Sequence, residues 1–178
     1  MKKKILLIAV LIVLTKSMEA QNIHTLSPGS INGNPINFSQ FTGNKIMVIL
    51  IPFNRDDSVY KQLISFRDQY KDKISIIGIP SVEDGYKKTD DDSLREIYKN
   101  SGIIITEGMY TKKASGAGQS ALMQWLTDNA KNKHFNNEAD GVGSKFFISE
   151  TGILYGALPP QVSLQSLIIE KAVNTAPK

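Results

Sequence analysis

The sequence has 178 residues and no cysteine. This absence excludes disulfide bonds, thiolate nucleophiles, Cys-x-x-Cys redox pairs, cysteine-ligated zinc, iron–sulfur clusters and a cysteine-linked lipid anchor. Histidine is scarce as well, because His24 and His134 are the only two. Their separation does not support a two-histidine metal site. We therefore expect no metal and no cofactor in this chain.

Long hydrophobic runs are also lacking, apart from Ile5–Leu14 near the start of the chain. Ten residues rise only about 15 Å as a helix, whereas the hydrocarbon core of a bilayer is about 30 Å thick. Three lysines precede this run, and the small residue Ala20 follows a short polar stretch. The pattern predicts a secretory signal peptide over residues 1–20 and export to the bacterial periplasm or the extracellular space. A retained N-terminal anchor is the alternative.

An excess of positive charge disappears with this segment. The formal net charge is +4 for the whole sequence, and it falls to about +1 without residues 1–20, which carry four lysines and one glutamate. No stripe of basic and aromatic residues remains elsewhere, so we expect no nucleic-acid partner and no membrane contact after cleavage. Residues 21–178 have the length of a single domain.

Two almost continuous apolar runs, residues 46–52 and 74–80, are typical of strands that are buried on both faces. Between them, Val59, Leu63, Phe66 and Tyr70 recur at helical spacing. A strand, a helix and a second strand in this order predict a right-handed parallel crossover. Earlier in the chain, the Asn32-Gly33 dipeptide predicts a tight β-hairpin turn.

The remaining pattern predicts a helix over residues 93–100, a short strand over 103–106, a loop over 108–118 and a helix over 120–131. Two strands over 145–149 and 153–158 form a hairpin, and a last helix begins at Ser163. The fold class is therefore α/β: a thioredoxin-like central mixed β-sheet flanked by helices, with an N-terminal β-hairpin.

Several segments in the same order and spacing resemble the glutathione peroxidase family. Each segment alone is weakly specific, and their common order carries the resemblance. The match runs from about Leu26 to Val173 and rests on Ile31–Gly33 with Phe41–Lys45, Tyr60–Leu63 through Tyr70–Lys73, Gly78–Pro80, Lys145–Gly152, and Ser163–Leu167.

The resemblance implies peroxide reduction by a cysteine or selenocysteine at the start of the first helix, where the helix dipole favours the thiolate. In this sequence that position is Asn54, and a carboxamide is no nucleophile for peroxide. Glu83 occupies the position of the family's glutamine, and Gly141 and Val142 occupy the positions of its Trp-Asn pair. All four catalytic positions are changed.

Arg55 suggests a binding site beside Asn54. Backbone amides, a helix dipole and a guanidinium together suit a small anion or a peptide, with Asn54, Arg55 and Glu83 as the candidate binding residues. The alternative, which we favour, is a surface arginine that pairs with Asp56 or Asp57.

Two further patterns have plain explanations. The acidic loop, defined as Glu83, Asp84 and Asp90–Asp92, could hold Ca²⁺ or Mg²⁺, but it lacks the spacing of an EF-hand and is better explained as a helix-capping loop. Residues Gly116–Ala121 fit Gly-x-Gly-x-x-Ala without a preceding parallel strand, so a loop that enters a helix is favoured over a nucleotide site.

The sequence supports two functional interpretations. The first is an exported, cysteine-free glutathione peroxidase-like protein that serves as a non-catalytic binding or structural module. The second is an enzyme with non-thiol chemistry, in which Glu83 acts as a general acid or base or the acidic loop holds a metal.

Overall fold

The computed structural model describes residues 22–175. The predicted signal peptide, residues 1–20, lies outside the described residues. Among residues 22–175, no helix combines the length and the apolar character that crossing a membrane requires.

A five-stranded mixed sheet forms the centre of the fold. Its strands are β1 (Lys45–Leu50), β2 (Ile74–Ile79), β3 (Ile104–Ile105), β4 (Lys145–Ile148) and β5 (Leu154–Leu158). The spatial order is β3-β2-β1-β4-β5, with β1, β2 and β3 parallel and β4 and β5 antiparallel to their neighbours. Every residue of β1 is buried, which confirms that its apolar run is covered on both faces.

Five α-helices accompany the sheet: α1 (Ser58–Tyr70), α2 (Asp91–Ile97), α3 (Ala121–Thr127), α4 (Asn129–Asn132) and α5 (Leu167–Asn174). Alternate residues of β1 belong to two separate cores. Met47 and Ile49 pack with α1, α2 and α5. Ile46 and Val48 pack with α3 and the N-terminal segment. The mixed sheet with helices on both faces confirms the predicted fold class.

Four short 3₁₀ segments lie in the connections, at Ile23–Thr25, Phe38–Phe41, Lys88–Asp90 and Lys113–Gly118. The first two bring Ile23, Phe38 and Phe41 into the core on the α3 side of the sheet. The segment from Lys113 lies within the predicted loop over residues 108–118.

The N-terminal hairpin is short. Its turn contains Gly33 at φ 86°, and a single antiparallel bridge joins Gly29 to Pro35. The same segment also covers the outer edge of β3, since Ser30 is bridged to Thr106 and Ile31 N donates to Ile105 O at 3.2 Å. The hairpin therefore closes one edge of the sheet.

Three helices differ from the prediction at their boundaries. The helix expected over residues 93–100 is α2, which begins at Asp91 and ends at Ile97. The helix expected over residues 120–131 is divided at Asp128, whose extended backbone separates α3 from α4 and whose side chain caps Ala130 N. Aspartate favours such caps over helix interiors. The last helix begins at Leu167 and not at Ser163, because the Ser163 hydroxyl donates to Gln62 Oε1 at 2.8 Å, on α1.

Candidate functional site

Three loops meet at the carboxyl ends of β1 and β2, and we call this place the candidate site. They are residues 51–57 after β1, 80–87 after β2, and 140–144 before β4. Gly143 N donates to Leu50 O at 2.8 Å, and Ile51 N donates to Ile79 O at 3.1 Å. The segment after β1 therefore lies at the carboxyl edge of the sheet, where open α/β sheets commonly bind ligands.

Asn54 lies exposed in the first of these loops. Its Oδ1 accepts a hydrogen bond from Asp56 N at 2.9 Å, so the carboxamide closes its own turn. Asp57 then caps α1 through Val59 N at 2.7 Å. The position that resembles the family's thiol thus holds a turn-forming amide followed by a helix cap.

Arg55 does not turn toward the candidate site. Its Nη2 donates to Glu96 O, at the carboxyl end of α2, where helix carbonyls lack intrahelical partners. Tyr60 supports the same helix end by donating to Ile97 O at 3.2 Å. The predicted pairing of Arg55 with Asp56 or Asp57 is therefore wrong, and the guanidinium does not complete an anion pocket beside Asn54.

Glu83 lies half-buried in the loop after β2, and its carboxylate is surrounded by donors from residues 111–115. Thr111 N donates to Oε2 at 2.9 Å, Lys112 N to Oε1 at 3.0 Å, and the Ser115 hydroxyl to Oε1 at 2.6 Å. The Thr111 hydroxyl adds a further bond at 3.2 Å. Glu83 thereby ties the loop after β2 to the loop that precedes α3.

These bonds decide the protonation state of Glu83. Burial by itself raises the pKa, but the Ser115 hydroxyl and the Thr111 and Lys112 amides outweigh it and lower the pKa to about 2. A carboxylate with this pKa holds no proton to donate near neutral pH and is a weak base. The expectation that Glu83 acts as a general acid or base does not fit this geometry.

Gly141 and the loop after β2 contact each other. Gly141 has φ 104°, and a Cβ at this position would lie 3.3 Å from Asp84 Oδ1. The other oxygen, Asp84 Oδ2, is buried without a hydrogen-bond partner. The following residue, Val142, is half-buried. A larger side chain at Gly141 would be strained by this backbone conformation, so the position does not suit the family's tryptophan.

Asn54 and Glu83 are not joined. Within residues 22–175 they share no hydrogen bond, and the loops that carry them touch through Phe53 and Tyr86, whose ring centroids are 6.3 Å apart. The structure therefore brings the three loops to one edge of the sheet but commits the side chains of Asn54, Arg55 and Glu83 to separate internal contacts.

The three consecutive aspartates of the acidic loop, Asp90 to Asp92, all have partners within or next to the loop. Asp91 accepts from the Tyr86 hydroxyl at 2.5 Å and pairs with Lys88 Nζ at 2.7 Å. Asp90 caps Lys87 N at 2.7 Å, and Asp92 pairs with Arg95. Across residues 22–175, three or more histidine and acidic side chains nowhere gather in a group that could hold a metal ion. Asp90 thus caps the 3₁₀ segment Lys88–Asp90, as expected of a capping loop, whereas no side chain among residues 22–175 caps the start of α2.

The two histidines lie in different surroundings. His24 Nδ1 lies 3.0 Å from Phe38 O, and its ring is beside Gly152 in the β4–β5 turn. His134 is exposed after α4, where its backbone N donates to Asn132 Oδ1. The Gly-x-Gly-x-x-Ala segment, Gly116–Ala121, begins within the 3₁₀ segment Lys113–Gly118 and ends at the first residue of α3. Ser120 caps α3 by accepting a hydrogen bond from Met123 N.

Lys145 is a buried charged residue that sequence reasoning did not identify as special. It opens β4, is 1% exposed, and donates from Nζ to Pro159 O at 3.0 Å and to Val162 O at 2.6 Å. Burial lowers its pKa to about 8. Nothing in the sequence distinguishes this lysine from one that reaches solvent at a strand end, so no signal predicts its burial.

Comparison with known proteins places the fold. No protein-family model matches the chain, and no curated protein matches it. Solved structures do match. The apo form of Trgpx has a TM-score of 0.61 at 17% identity, with 89% of this chain and 100% of that one covered. GPX1 of T. cruzi has a TM-score of 0.65 at 14% identity, with 86% and 94% covered.

A thioredoxin family thiol:disulfide interchange protein from Chlorobium tepidum TLS matches with a TM-score of 0.54 at 15% identity, covering 88% of this chain and 98% of that one. The structural neighbours thus include glutathione peroxidases and other thioredoxin-fold proteins. At these identities the likeness establishes the thioredoxin-like fold, and this chain carries it without cysteine.

Proposed function

We propose that this chain is an exported, glutathione peroxidase-like protein that has lost thiol chemistry and serves as a non-catalytic binding or structural module. The proposal rests on the residue at the family's thiol position. Asn54 cannot attack a peroxide, and its carboxamide is occupied in closing the turn before α1. With no cysteine in the sequence, no neighbouring residue can replace the missing thiol.

Glu83 supports the same proposal. Its carboxylate accepts hydrogen bonds from three residues of the 111–115 segment. This arrangement is typical of a side chain that holds two loops together, and it leaves few acceptor positions for a substrate. A loop that is held by several partly buried, charge-assisted hydrogen bonds is favoured in one conformation. We infer that the candidate site, which holds the catalytic residues in glutathione peroxidases, serves in this protein to fix the loop after β2 and the loop before α3.

The ligand class that we favour is a peptide over a small anion, because the Arg55 guanidinium is engaged by Glu96 O and does not complete an anion site with Asn54. A cleft of about 730 Å³ lies between the N-terminal turn, α2 and the edge of β3, within the size range of ligand-binding clefts. Apolar side chains and neutral amides such as Ile31, Pro35 and Asn32 line it together with four charged residues, Asp92, Arg95, Glu96 and Lys99.

The catalytic part of the proposal is tested by peroxide consumption with dithiol reductants. We expect the purified protein to consume hydrogen peroxide or an organic hydroperoxide no faster than buffer. Turnover that Glu83→Gln abolishes would overturn the proposal and support non-thiol chemistry at Glu83.

Asn54→Cys tests whether the loop still activates a thiol. Because the Arg55 guanidinium is engaged by Glu96 O, we expect the introduced thiol to titrate near the ordinary value of about 8.5 and to react with peroxide at the rate of a free thiol. Asn32→Cys, at another exposed turn residue, is the matched control. A strongly lowered thiol pKa at position 54 alone would show that the activating site persists.

Export is tested by expressing the full-length chain in a Gram-negative host and determining the N-terminus of the product by mass spectrometry. We expect a periplasmic protein that begins at or near Gln21. Recovery of the intact chain in the membrane fraction would support the retained anchor and overturn this part of the proposal.

A further inference from the structure

The Lys145 ammonium group is held by backbone carbonyls and has a donor to spare. Its Nζ donates to Pro159 O at 3.0 Å and to Val162 O at 2.6 Å. An ammonium group has three N–H donors. Within residues 22–175 the third has no acceptor, and the charge has no carboxylate partner. A buried cation without a counter-charge is costly, so this position would be stabilised by an anion.

A cavity of about 100 Å³ adjoins this side chain. Lys145 lines it together with Val59 and Gln62 of α1 and with residues 160–164, which connect β5 to α5. Such a volume holds about three water molecules or one small molecule of similar size. Among the described residues that line the cavity, Lys145 is the only charged one. The cavity therefore favours a ligand with a single negative charge.

Gln62 supplies a second kind of donor, and the orientation of its amide is fixed. Its Oε1 accepts from the Ser163 hydroxyl at 2.8 Å and from Leu164 N at 3.1 Å. Because a backbone N–H donates and does not accept, the contact with Leu164 requires the amide oxygen on this side and leaves Nε2 on the other. Within residues 22–175 no acceptor meets Nε2. Gln62 therefore offers N–H groups that the fold itself does not use.

One short segment brings these two donors to the same cavity. Val162 O accepts from Lys145, and the next residue, Ser163, donates to Gln62. Both side chains line the cavity as well. An ammonium N–H and an amide N–H in one small space match the two oxygens of a carboxylate, because each oxygen can accept from one of the donors.

Gly143 keeps this cavity open. It has φ 91°, and a Cβ at this position would lie 3.4 Å from Val59 Cγ2 and 3.5 Å from Pro160 Cβ. Both of these neighbours line the cavity, so a side chain at position 143 would narrow it and would also be strained by the backbone conformation. Val59 and Pro160 give the cavity apolar walls, which suit a short hydrocarbon group.

We propose that this cavity is a binding site for a small monovalent carboxylate, such as acetate or propionate, with Lys145 Nζ and Gln62 Nε2 as its donors. One ammonium group balances one negative charge, so a divalent anion would remain partly uncompensated in this partly buried place. The bound carboxylate supplies both the acceptor for the third N–H of Lys145 and the counter-charge that its surroundings lack.

The carboxylate site is a neighbour of the candidate site and not part of it. Gly143 belongs to the third loop of the candidate site, but Asn54 and Glu83 do not line the cavity. Asp57, the acidic residue at the start of α1, caps Val59 N at 2.7 Å and does not line the cavity either. This inference does not depend on the proposed function.

A bound carboxylate should also change the titration of Lys145. Burial lowers the pKa of its ammonium group to about 8, whereas a neighbouring anion stabilises the charged form and raises the pKa. The protein gains stability between about pH 7.5 and pH 9.5 as Lys145 loses its proton, and this gain should therefore shrink when the site is filled.

Titration of the purified protein with sodium acetate near neutral pH tests the site, with sodium chloride keeping the ionic strength constant. We expect the side-chain amide signal of Gln62 in ¹H–¹⁵N NMR spectra to shift and to saturate, and the urea midpoint to rise with acetate concentration. Lys145→Met removes the charge and should abolish both effects. Equal responses of the two proteins, or no saturable shift in the unmodified protein, would overturn the proposal.

Gln62→Glu is a second variant, which keeps the acceptor for Ser163 and Leu164 N and places a carboxylate oxygen where Nε2 lay. We expect this built-in anion to weaken acetate binding by about tenfold or more and to reduce the gain in stability between about pH 7.5 and pH 9.5. Gln165→Glu, at an exposed residue that does not line the cavity, is the matched control and should change neither. Equal effects of the two substitutions would contradict the site.

N-acetylglycinate, which models the carboxyl end of a peptide, tests the source of the carboxylate. Because a cavity of about 100 Å³ leaves little room beyond the carboxylate and a short hydrocarbon group, we expect this compound to bind about tenfold more weakly than acetate. Binding as tight as that of acetate would overturn the inference of a free small carboxylate and indicate a chain terminus as the ligand.

Discussion

Glu83, which is half-buried in the candidate site, and Lys145, which is buried beside it, are two charged side chains with opposite surroundings. The Glu83 carboxylate receives donors from Thr111, Lys112 and Ser115. The Lys145 ammonium, which has three N–H donors, has two backbone carbonyls as acceptors and no carboxylate. Both pKa values fall, to about 2 and about 8, but for different reasons.

For Glu83 the lowered pKa means that the fold stabilises the charged form, whereas for Lys145 it means that the fold disfavours the charged form. The number of suitable partners decides whether a buried charge stabilises a structure or opposes it. Near neutral pH, the charged form of Glu83 therefore stabilises the fold, whereas the charged form of Lys145 destabilises it.

The largest expected effect is that of removing the Glu83 carboxylate. Glu83→Ala removes the acceptor of two backbone amides and two hydroxyls, and we expect the free energy of unfolding in urea to fall by about 4 kcal/mol. Glu138, an exposed carboxylate that accepts from Lys113 N at 2.9 Å, provides the matched control. Glu138→Ala should cost less than about 1 kcal/mol, and equal losses would contradict the role of Glu83.

Acid should remove the same contribution. Since the folded pKa of Glu83 is about 2 against an ordinary value of 4.5, its stabilisation is complete above pH 4.5 and is lost as the pH falls through the folded pKa. Between about pH 6 and pH 2 we expect a loss of about 3 kcal/mol. Glu83→Gln should flatten this part of the stability profile measured by urea unfolding, and an unchanged profile would show that other carboxylates cause it.

The effect of Lys145 should have the same direction in pH as that of Glu83, but it should appear in the alkaline range. Its folded pKa is about 8 against an ordinary 10.5, so between these values the unfolded state binds more protons and stability rises with pH. From about pH 7.5 to pH 9.5 this group should add about 2 kcal/mol to the free energy of unfolding. The gain should disappear in Lys145→Met, and its persistence there would assign it to another group.

Removing Arg55 should have the smallest effect on stability, because its charged side chain is exposed to solvent. Arg55→Ala removes one hydrogen bond to Glu96 O at the end of α2, and we expect the free energy of unfolding to fall by less than about 1 kcal/mol. Urea unfolding under identical conditions checks this. A loss as large as that in Glu83→Ala would mean that solvent exposure does not explain the difference between the contributions of Arg55 and Glu83 to stability.

The central part of the fold could be predicted because its signals are local. The apolar runs that became β1 and β2 and the helical spacing of α1 lie within a few residues of their observed bounds. The division of the helix at Asp128 could not be predicted from periodicity, because the apolar positions continue beyond this residue. The helix is interrupted there by a single side chain, since Asp128 Oδ1 accepts a hydrogen bond from Ala130 N. The start of α5 was displaced by a contact of Ser163 with distant Gln62.

The candidate site was predictable in position but not in its contacts. The order of the strands brings the loops with Asn54, Glu83 and Gly141 to one edge, as the resemblance implies. The partners of Glu83 lie about thirty residues further along the chain, and those of Arg55 about forty. Contacts of this kind depend on tertiary packing that no local pattern contains.

The pairing of β1 with β4 affects how the protein is made. Ile46 stands beside Ile148, so one side of the central strand stays unoccupied until most of the chain has left the ribosome. A nascent chain that stops short of residue 145 displays an apolar strand with a free flank, the kind of surface that holding chaperones bind. Completion of the sheet therefore waits for the last part of synthesis, and truncation before β4 should yield an aggregating product.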